Sequence, residues 1–530
     1  LLRIANLRVS LDNDTALAKL AAKRLKLPPQ AVLEVVLVRK ALDARRKTNI
    51  NFVYTLDVRV AAAEGQVLSR LRGDKDVART EGYIPPPLSP GNRVLEDQPV
   101  IVGLGPAGLL AAFTLARHGY RPLVLERGRD VDRRIRDIAR FWQTGSLDEV
   151  SNVQFGEGGA GTFSDGKLTT RVNHPGMGEV LDLLVAAGAP PEIKYSYKPH
   201  IGTDNLRQVV KNIRKQIIAL GGQVEFEAQV TGLVIKERQL QELVVNGRRI
   251  PCTVALFGIG HSARDTYAML NQCGVAMEAK PFAIGVRIEH PQQMIDQAQY
   301  GSAAGHPRLP AADYALVHHA RQTGRTAYSF CMCPGGLVVA AASAPGQVVT
   351  NGMSNYGRSS KIANSALVVN VVPEDFGGGI LGGIEFQRRY EALAYQSGGC
   401  NYSAPVQTVG DFLGGKQGGS AFLTQPTYQP GFTAADLGQC LPDFVTATLR
   451  EALPEFGRKI RGFDDNGAVM TGVETRTSAP VRIVRTGDFV SLNTGGFYPI
   501  GEGAGYAGGI MSAALDGLNA ARAVIQQYKV

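Results

Sequence analysis

Three short stretches carry side chains able to move protons or electrons. Cys331 and Cys333 are separated by one residue, and in an extended strand residues two apart share a face, so both thiols can point at one pocket. A pair of this kind can pass electrons through a disulfide, although neighbouring CxC cysteines close a tight, strained ring. Zinc requires further ligands at usable spacing and none stands near, so no metal site is expected, and buried structural cysteines are the plainer reading. In Ser164-Asp165-Gly166-Lys167, Lys167 can meet an anion, or Asp165 and Lys167 can merely fix the loop. His261, His200 and His174 are candidate proton donors at neutral pH, against the commoner outcome of surface or satisfied core histidines.

These groups need elements that hold a reaction partner against them. Val100-Ile101-Val102 precedes Gly103, Gly105 and Gly108, and Leu123-Val124-Leu125-Glu126 follows. Strand, glycine turn, helix and strand make up the full dinucleotide-binding context. Gly103 permits the tight turn, Gly105 lets backbone approach a pyrophosphate, and Gly108 lets the helix lie close on the first strand. Pro106 suits the first helical turn, with Ala107 beside it, and the positive helix end faces the phosphates. Leu109, Leu110, Phe113 and Leu115 give that helix apolar surface, and Gly119 stops it. Glu126 sits where a carboxylate can accept hydrogen bonds from a ribose diol, and Arg127 follows it.

Three more segments are punctuated by glycine. Gly156 to Lys167 is too glycine-rich for the interior of a strand or helix, and its Gly158, Gly159, Ala160, Gly161, Thr162 and Ser164 would bring backbone close to a flat, charged ligand. Val254 to His261 is an apolar strand ending in a second turn at Gly258 and Gly260. Tyr498 to Gly505, containing Gly501 and Glu502, leads into Gly508-Gly509-Ile510-Met511 and a helix expected through Ala521.

In this order the four segments resemble the glutathione-reductase-type FAD fold, in the branch that includes p-hydroxybenzoate hydroxylase. More closely, the chain is similar to a family of largely uncharacterised bacterial FAD-dependent dehydrogenases. The run from Gly159 to Leu168, Cys331-Met332-Cys333-Pro334-Gly335-Gly336 and the run from Gly501 to Met511 carry that likeness, which extends over nearly all of the chain. The resemblance implies non-covalent FAD. The second glycine turn would lie by the cofactor, the Gly501-Glu502 segment along its ribityl and phosphate portion, and the helix after Ile510 would point at the flavin ring. A strand from Val224 to Val230 would make a backbone contact to adenine through Val230. Charge developing on a reduced flavin suits a helix N-terminus, and glycines there let backbone amides reach the ring. No second complete fingerprint follows, so NADH or NADPH is expected to bind only transiently, if at all.

Composition sets the outer limits. The 530 residues suffice for two or three domains, with charged residues at 20% and hydrophobic ones at 44%, as in soluble globular proteins. The chain opens on Leu1 and not Met, so further N-terminal sequence is expected. No apolar run approaches a membrane span and no secretory signal is read; six irregularly spaced cysteines form no disulfide framework, so a cytoplasmic setting is expected. The formal charge is +10, and residues 1–80 hold 16 Lys or Arg against 8 Asp or Glu. Solvated surface charge explains that excess most simply; an acidic redox partner protein, or nucleic acid bound through residues 1–84, would be the functional alternative.

The expected fold class is α/β, α+β overall. A Rossmann-like FAD domain holds an inserted strand-rich substrate domain, and a small N-terminal βαββ domain precedes them. In the latter, Leu7, Val9 and Leu11 alternate, Asp14 can cap a helix ended by Pro28-Pro29, Ala31 to Val38 reads as a buried strand, and Phe52 to Val60 alternates. The expected divisions are 1–84, a Pro-rich linker 85–96, FAD domain 97–276, substrate domain 277–479 and FAD domain again 480–530. The function implied is hydride transfer through flavin N5 to or from a small-molecule substrate held between the domains. A flavin-dependent RNA-modifying protein and a non-catalytic redox sensor are the rivals.

Overall fold

A computed structural model describes residues 1–81, 87–170 and 172–530. Its N-terminal part is a four-stranded antiparallel sheet ordered Val32–Asp43, Asn51–Val60, Leu2–Ser10, Val77–Arg79. The alternation of Phe52, Tyr54, Leu56 and Val58 makes Asn51–Val60 a central strand with those four side chains buried. Three expectations need correction. A second helix, Glu64–Arg70, and the strand Val77–Arg79 extend βαββ to βαββαβ; each is short and buries a single residue, Val67 or Val77, too little to show as a pattern. Val32–Asp43 is an edge strand, with Leu33 60% and Val36 46% exposed, and not a buried one. The first helix, Leu17–Leu25, starts after Ala16 with no side-chain cap, while Asp14 pairs with Arg308 at 3.1 Å.

Of the proline run, Pro85 and Pro86 lie outside the described residues. Beyond it the chain is docked: Arg93–Val94 pairs with Tyr528–Lys529, joining the entry of the nucleotide-binding fold to its exit. That fold is a five-stranded parallel sheet ordered Phe497–Pro499, Ala255–Phe257, Val100–Val102, Leu123–Leu125, Gln223–Glu225. Helix Pro106–Arg117 begins with Pro106 at its first position. It packs against Ile510–Gln527, which runs six residues beyond the expected Ala521. Close approach explains two glycines. A Cβ at Gly108 would stand 1.9 Å from the Gly103 carbonyl oxygen, and one at Gly517 would stand 2.0 Å from that of Ala107.

The strand expected over 224–230 is two strands. Gln223–Glu225 completes the parallel sheet and Val230–Lys236 opens a separate three-stranded antiparallel sheet. Glu227 lies between them in the left-handed region, φ 56°, which ends any continuous extended run.

Between the strands Ala255–Phe257 and Phe497–Pro499 the chain builds a seven-stranded sheet. Its order is Val317–His319, Thr326–Cys333, Ile362–Val371, Phe282–Pro291, Val469–Glu474, Ala404–Thr408, Phe432–Ala434. Phe282–Pro291 and Ile362–Val371 are almost wholly buried at the middle of the sheet, and they bury Arg287, Glu289, His290 and Asn364 along with their apolar residues. No helix of the described residues is long and apolar enough to cross a membrane.

Candidate functional site

A continuous cavity of about 740 Å³ lies where the carboxyl ends of the parallel strands meet the seven-stranded sheet. Ligand sites of α/β sheets occur at these strand ends, and the volume is that of a small-molecule pocket.

One wall is mostly backbone. Gly103, Gly105, Pro106 and Ala107 line it from the fingerprint, Gly159, Ala160, Gly161 and Ser164 from the glycine-rich loop, and Gly258 and Gly260 from the second turn. Val230, Glu126 and Arg127 border one part; Gly501, Glu502, Gly508, Gly509 and Ile510 border another. Two helices, Pro106–Arg117 and Ile510–Gln527, therefore present their N-termini, and no side chain caps either. At Gly260, Gly508 and Gly509 an added Cβ would meet no protein atom within 4 Å and would take up cavity space instead.

Glu126 is engaged more fully than its sequence position suggests. One carboxylate oxygen accepts from the Leu104 amide at 2.7 Å, and the other from the amides of Gly128 at 2.9 Å and Gly156 at 3.0 Å. With about four acceptor positions on a carboxylate, roughly one is left for a ribose hydroxyl. Glu126 thus fastens three loops together as well as bordering the cavity. Arg127 lies over the Phe155 ring and pairs with Asp265 at 3.0 Å.

The glycine-rich loop is held by a residue that sequence reasoning missed. Arg134, fully buried, donates to the carbonyls of Asn152, Val153, Gly156 and Glu157 at 2.7 to 3.3 Å. Burial brings its guanidinium down to about 9, opposed by the carboxylates of Glu126 and Glu157. Ala160–Phe163 forms one 3-10 turn within the loop.

Four expected contact residues lie behind this wall. Gly108 underlies the fingerprint turn, Gly158 packs on the Thr162 hydroxyl, Thr162 accepts through its carbonyl from Thr203, and Met511 is buried in the core. None of the four lines the cavity.

The opposite wall is made of side chains. Tyr328, Phe330 and Cys331 come from one strand of the large sheet, and Asn351, Asn370, Glu474, Arg476 and Thr477 from others or their ends. Two buried ion clusters fix this wall. Arg287 grips Glu474 through Nε and Nη2 at 2.9 and 3.0 Å, and Thr350 donates to the same carboxylate. Glu391 accepts from both Arg264, at 2.7 and 2.8 Å, and Arg476, at 3.0 and 3.1 Å. Burial alone would raise the Glu391 carboxyl, but the two guanidinium groups hold it below the usual carboxylate range. Two arginines around one carboxylate leave a net positive charge against the cavity. Local sequence offered no signal for any of these residues except Cys331.

The candidate proton and electron carriers separate clearly. Lys167 lines the cavity, 4.0 Å from Asp165, whose own carboxylate is taken up by Arg358 at 2.8 Å and by Ser354. His261 also lines it and shares a hydrogen bond with Ser262 at 2.9 Å. Burial, reinforced by Arg476 and Arg264, pushes its imidazole down to about 3, so it is neutral at pH 7 and not a proton donor of the expected kind. His200 lies outside the cavity, stacked on Tyr356 and bonded to its carbonyl at 3.0 Å; His174 accepts from the Gly176 amide. Cys331 lines the cavity, whereas Cys333 is fully buried and does not. The two do not share a strand face, because the pairing of Thr326–Cys333 with Ile362–Val371 shifts register between Phe330 and Cys333 and Cys331 has φ 45°. Glu502 gains significance: burial, against the charge of Lys280, pushes its carboxyl up to about 7.

Comparison with known proteins adds three family-model matches. Residues 281–477 match a model described as FAD-dependent protein, C-terminal domain-like, residues 101–148 an NAD(P)-binding Rossmann-like domain, and residues 2–59 a domain of unknown function. An uncharacterized protein of Clostridium beijerinckii is 49% identical over 529 residues, 99% of each chain. Among solved structures, CtdE in complex with FAD is 12% identical, covering 79% of this chain and 82% of that one with TM-score 0.32. L-proline dehydrogenase from P. horikoshii is 11% identical, with coverages of 82% and 93% and TM-score 0.34. The open glycine cradle and the paired helix N-termini suit a dinucleotide, as does the Rossmann-like match, and the match over residues 281–477 identifies it as FAD.

Proposed function

We propose that this chain, which belongs to the same family as its Clostridium beijerinckii relative, is an FAD-dependent oxidoreductase whose 740 Å³ cavity holds both FAD and a small substrate for hydride exchange. The Gly105 amide and the amides of the first turn after Pro106 would take the pyrophosphate, and Glu126 the ribose. Val230 would meet adenine through its backbone, and Gly258 and Gly260 would border the cofactor. Gly159 to Ser164, Gly501, Glu502 and the backbone from Gly508 to Ile510 would receive the ribityl and ring portions. Bound FAD supplies two-electron chemistry at flavin N5.

The chain's own residues do the rest. The N-terminus of Ile510–Gln527 favours negative charge placed before it. Glu502, with its carboxyl near 7, can hold or release a proton at working pH. Tyr328, Asn351, Asn370 and Thr477 offer hydroxyl and amide groups to orient a substrate, and the Arg476 cluster favours an anionic part of it. The observation carrying this reading is one cavity with backbone amides on one side and fixed polar side chains on the other.

Anaerobic titration of the yellow protein with NADH and NADPH, followed by a metabolite screen for reoxidation, tests it. Bleaching by a nucleotide and recovery with one substrate class is expected; protein that takes up no flavin even on refolding with FAD overturns the reading.

A further inference from the structure

Beyond flavin chemistry, the structure singles out the Cys331-Met332-Cys333 bulge. Regular pairing stops at Phe330↔Ala366 and resumes at Cys333↔Asn364, so the intervening residues are pushed out of the sheet. Cys331 is held in the left-handed region, uncommon for a side chain of this kind and a recurrent feature of functional sites. Its carbonyl is fixed by Arg287 Nη1 at 3.2 Å and by the Cys333 thiol at 3.3 Å. Cys331 lines the cavity, and Cys333, just after it in the chain, is buried.

We propose that Cys331 and Cys333 are a peroxide-reactive dithiol, with Cys331 at the cavity wall oxidised first and the buried Cys333 resolving it to a disulfide. The electrostatics agree with this order. The neighbouring Cys333 thiol, then the cations Lys167 and Arg287, hold the Cys331 thiol below the ordinary thiol range against burial and Asp165, while Cys331 and burial push Cys333 upward. Glu474 and Glu502 are the other charged groups facing Cys331. Cys252 and Cys440 make the contrast: burial pushes both thiols up to about 12.

The chemistry balances. The Cys331 sulfur attacks one oxygen of hydrogen peroxide, the O–O bond breaks, and the departing hydroxide takes a proton to become water. Cys331 is then a sulfenic acid, which the Cys333 sulfur attacks, forming the S–S bond and releasing a second water. Two thiols have lost two electrons and two protons, and one peroxide has become two waters. The closed CxC ring is tight, which makes it labile to reducing thiols.

The test uses the full-length flavoprotein. One equivalent of hydrogen peroxide should link Cys331 to Cys333 in peptide mass maps. Cys333→Ser should stop at a dimedone-trapped sulfenic acid on Cys331. In the wild type, iodoacetamide labelling of Cys331 should fall far less between pH 8 and pH 6 than the roughly 80-fold drop of a free thiol. Labelling that falls like a free thiol, or peroxide that oxidises other cysteines and leaves Cys331 and Cys333 unlinked, overturns the proposal. The thiol readouts require no flavin turnover, so they separate its failure from failure of the hydride-exchange reading.

Discussion

The two walls of the cavity are built in opposite ways. The wall from the parallel sheet works through main chain, and residue type there is dictated by space: Gly108 has no room for a methyl group, and Gly508 and Gly509 leave theirs to a ligand. The wall from the large sheet works through side chains held by buried ion pairs, where type is dictated by charge balance. Damage to the first should act by crowding, and damage to the second by leaving a charge without its partner.

The largest effect belongs to the second wall. Glu474→Ala strands the fully buried Arg287, and chemical denaturation should show a loss of about 3–5 kcal/mol. Replacing both partners, with Arg287→Met and Glu474→Leu, should restore much of that stability while altering substrate turnover; equal damage from single and double variants would break the contrast. Behind the first wall, Gly108→Ala should cost up to about 3 kcal/mol through overpacking and, by shifting the fingerprint turn, release the cofactor, read as lost flavin absorbance.

A pH series sharpens the electrostatic side. Burial pushes the carboxyl of Glu289 up to about 7, opposed by its hydrogen bonds with Thr427. A carboxyl raised on folding adds stability that is complete below its unfolded value and fades as pH rises through about 7. Stability should therefore fall by about 2 kcal/mol from pH 5 to pH 8 on this account, and Glu289→Gln should flatten the profile. Glu126→Gln should weaken FAD retention about tenfold in equilibrium dialysis, as expected for disturbing charge-assisted hydrogen bonds. Smallest of all, His261→Gln should leave the pH dependence of turnover unshifted between pH 6 and 8, because the imidazole is already neutral there.

The same contrast explains what was legible beforehand. Backbone requirements impose glycine at fixed offsets, so Gly103, Gly105 and Gly108 and the flanking strands stand out along the chain. Arg476, Glu391 and Arg264 have no such local mark, because their meeting depends on separate elements folding together. Arg134 became visible only once the loop wrapped around it. Cys331 and Cys333 were found, but strand periodicity put them on one face; a register shift is a property of two paired strands and is not written in either alone. In the N-terminal part, Arg3 pairs with Asp57, Arg24 with Asp74 and Arg59 with Glu34, so these basic residues are locally neutralised while the net excess stays on others, a division composition cannot reveal.

The position of Phe497–Pro499 beside Ala255–Phe257 sets an order on biosynthesis. A chain leaving the ribosome exposes an incomplete nucleotide fold with one apolar border unpaired while more than two hundred further residues are added. The strands from Phe282 to Glu474 are all out before the closing strand arrives, so they can mature first. A nascent chain stalled before residue 497 should therefore be a better client for chaperones than the finished protein.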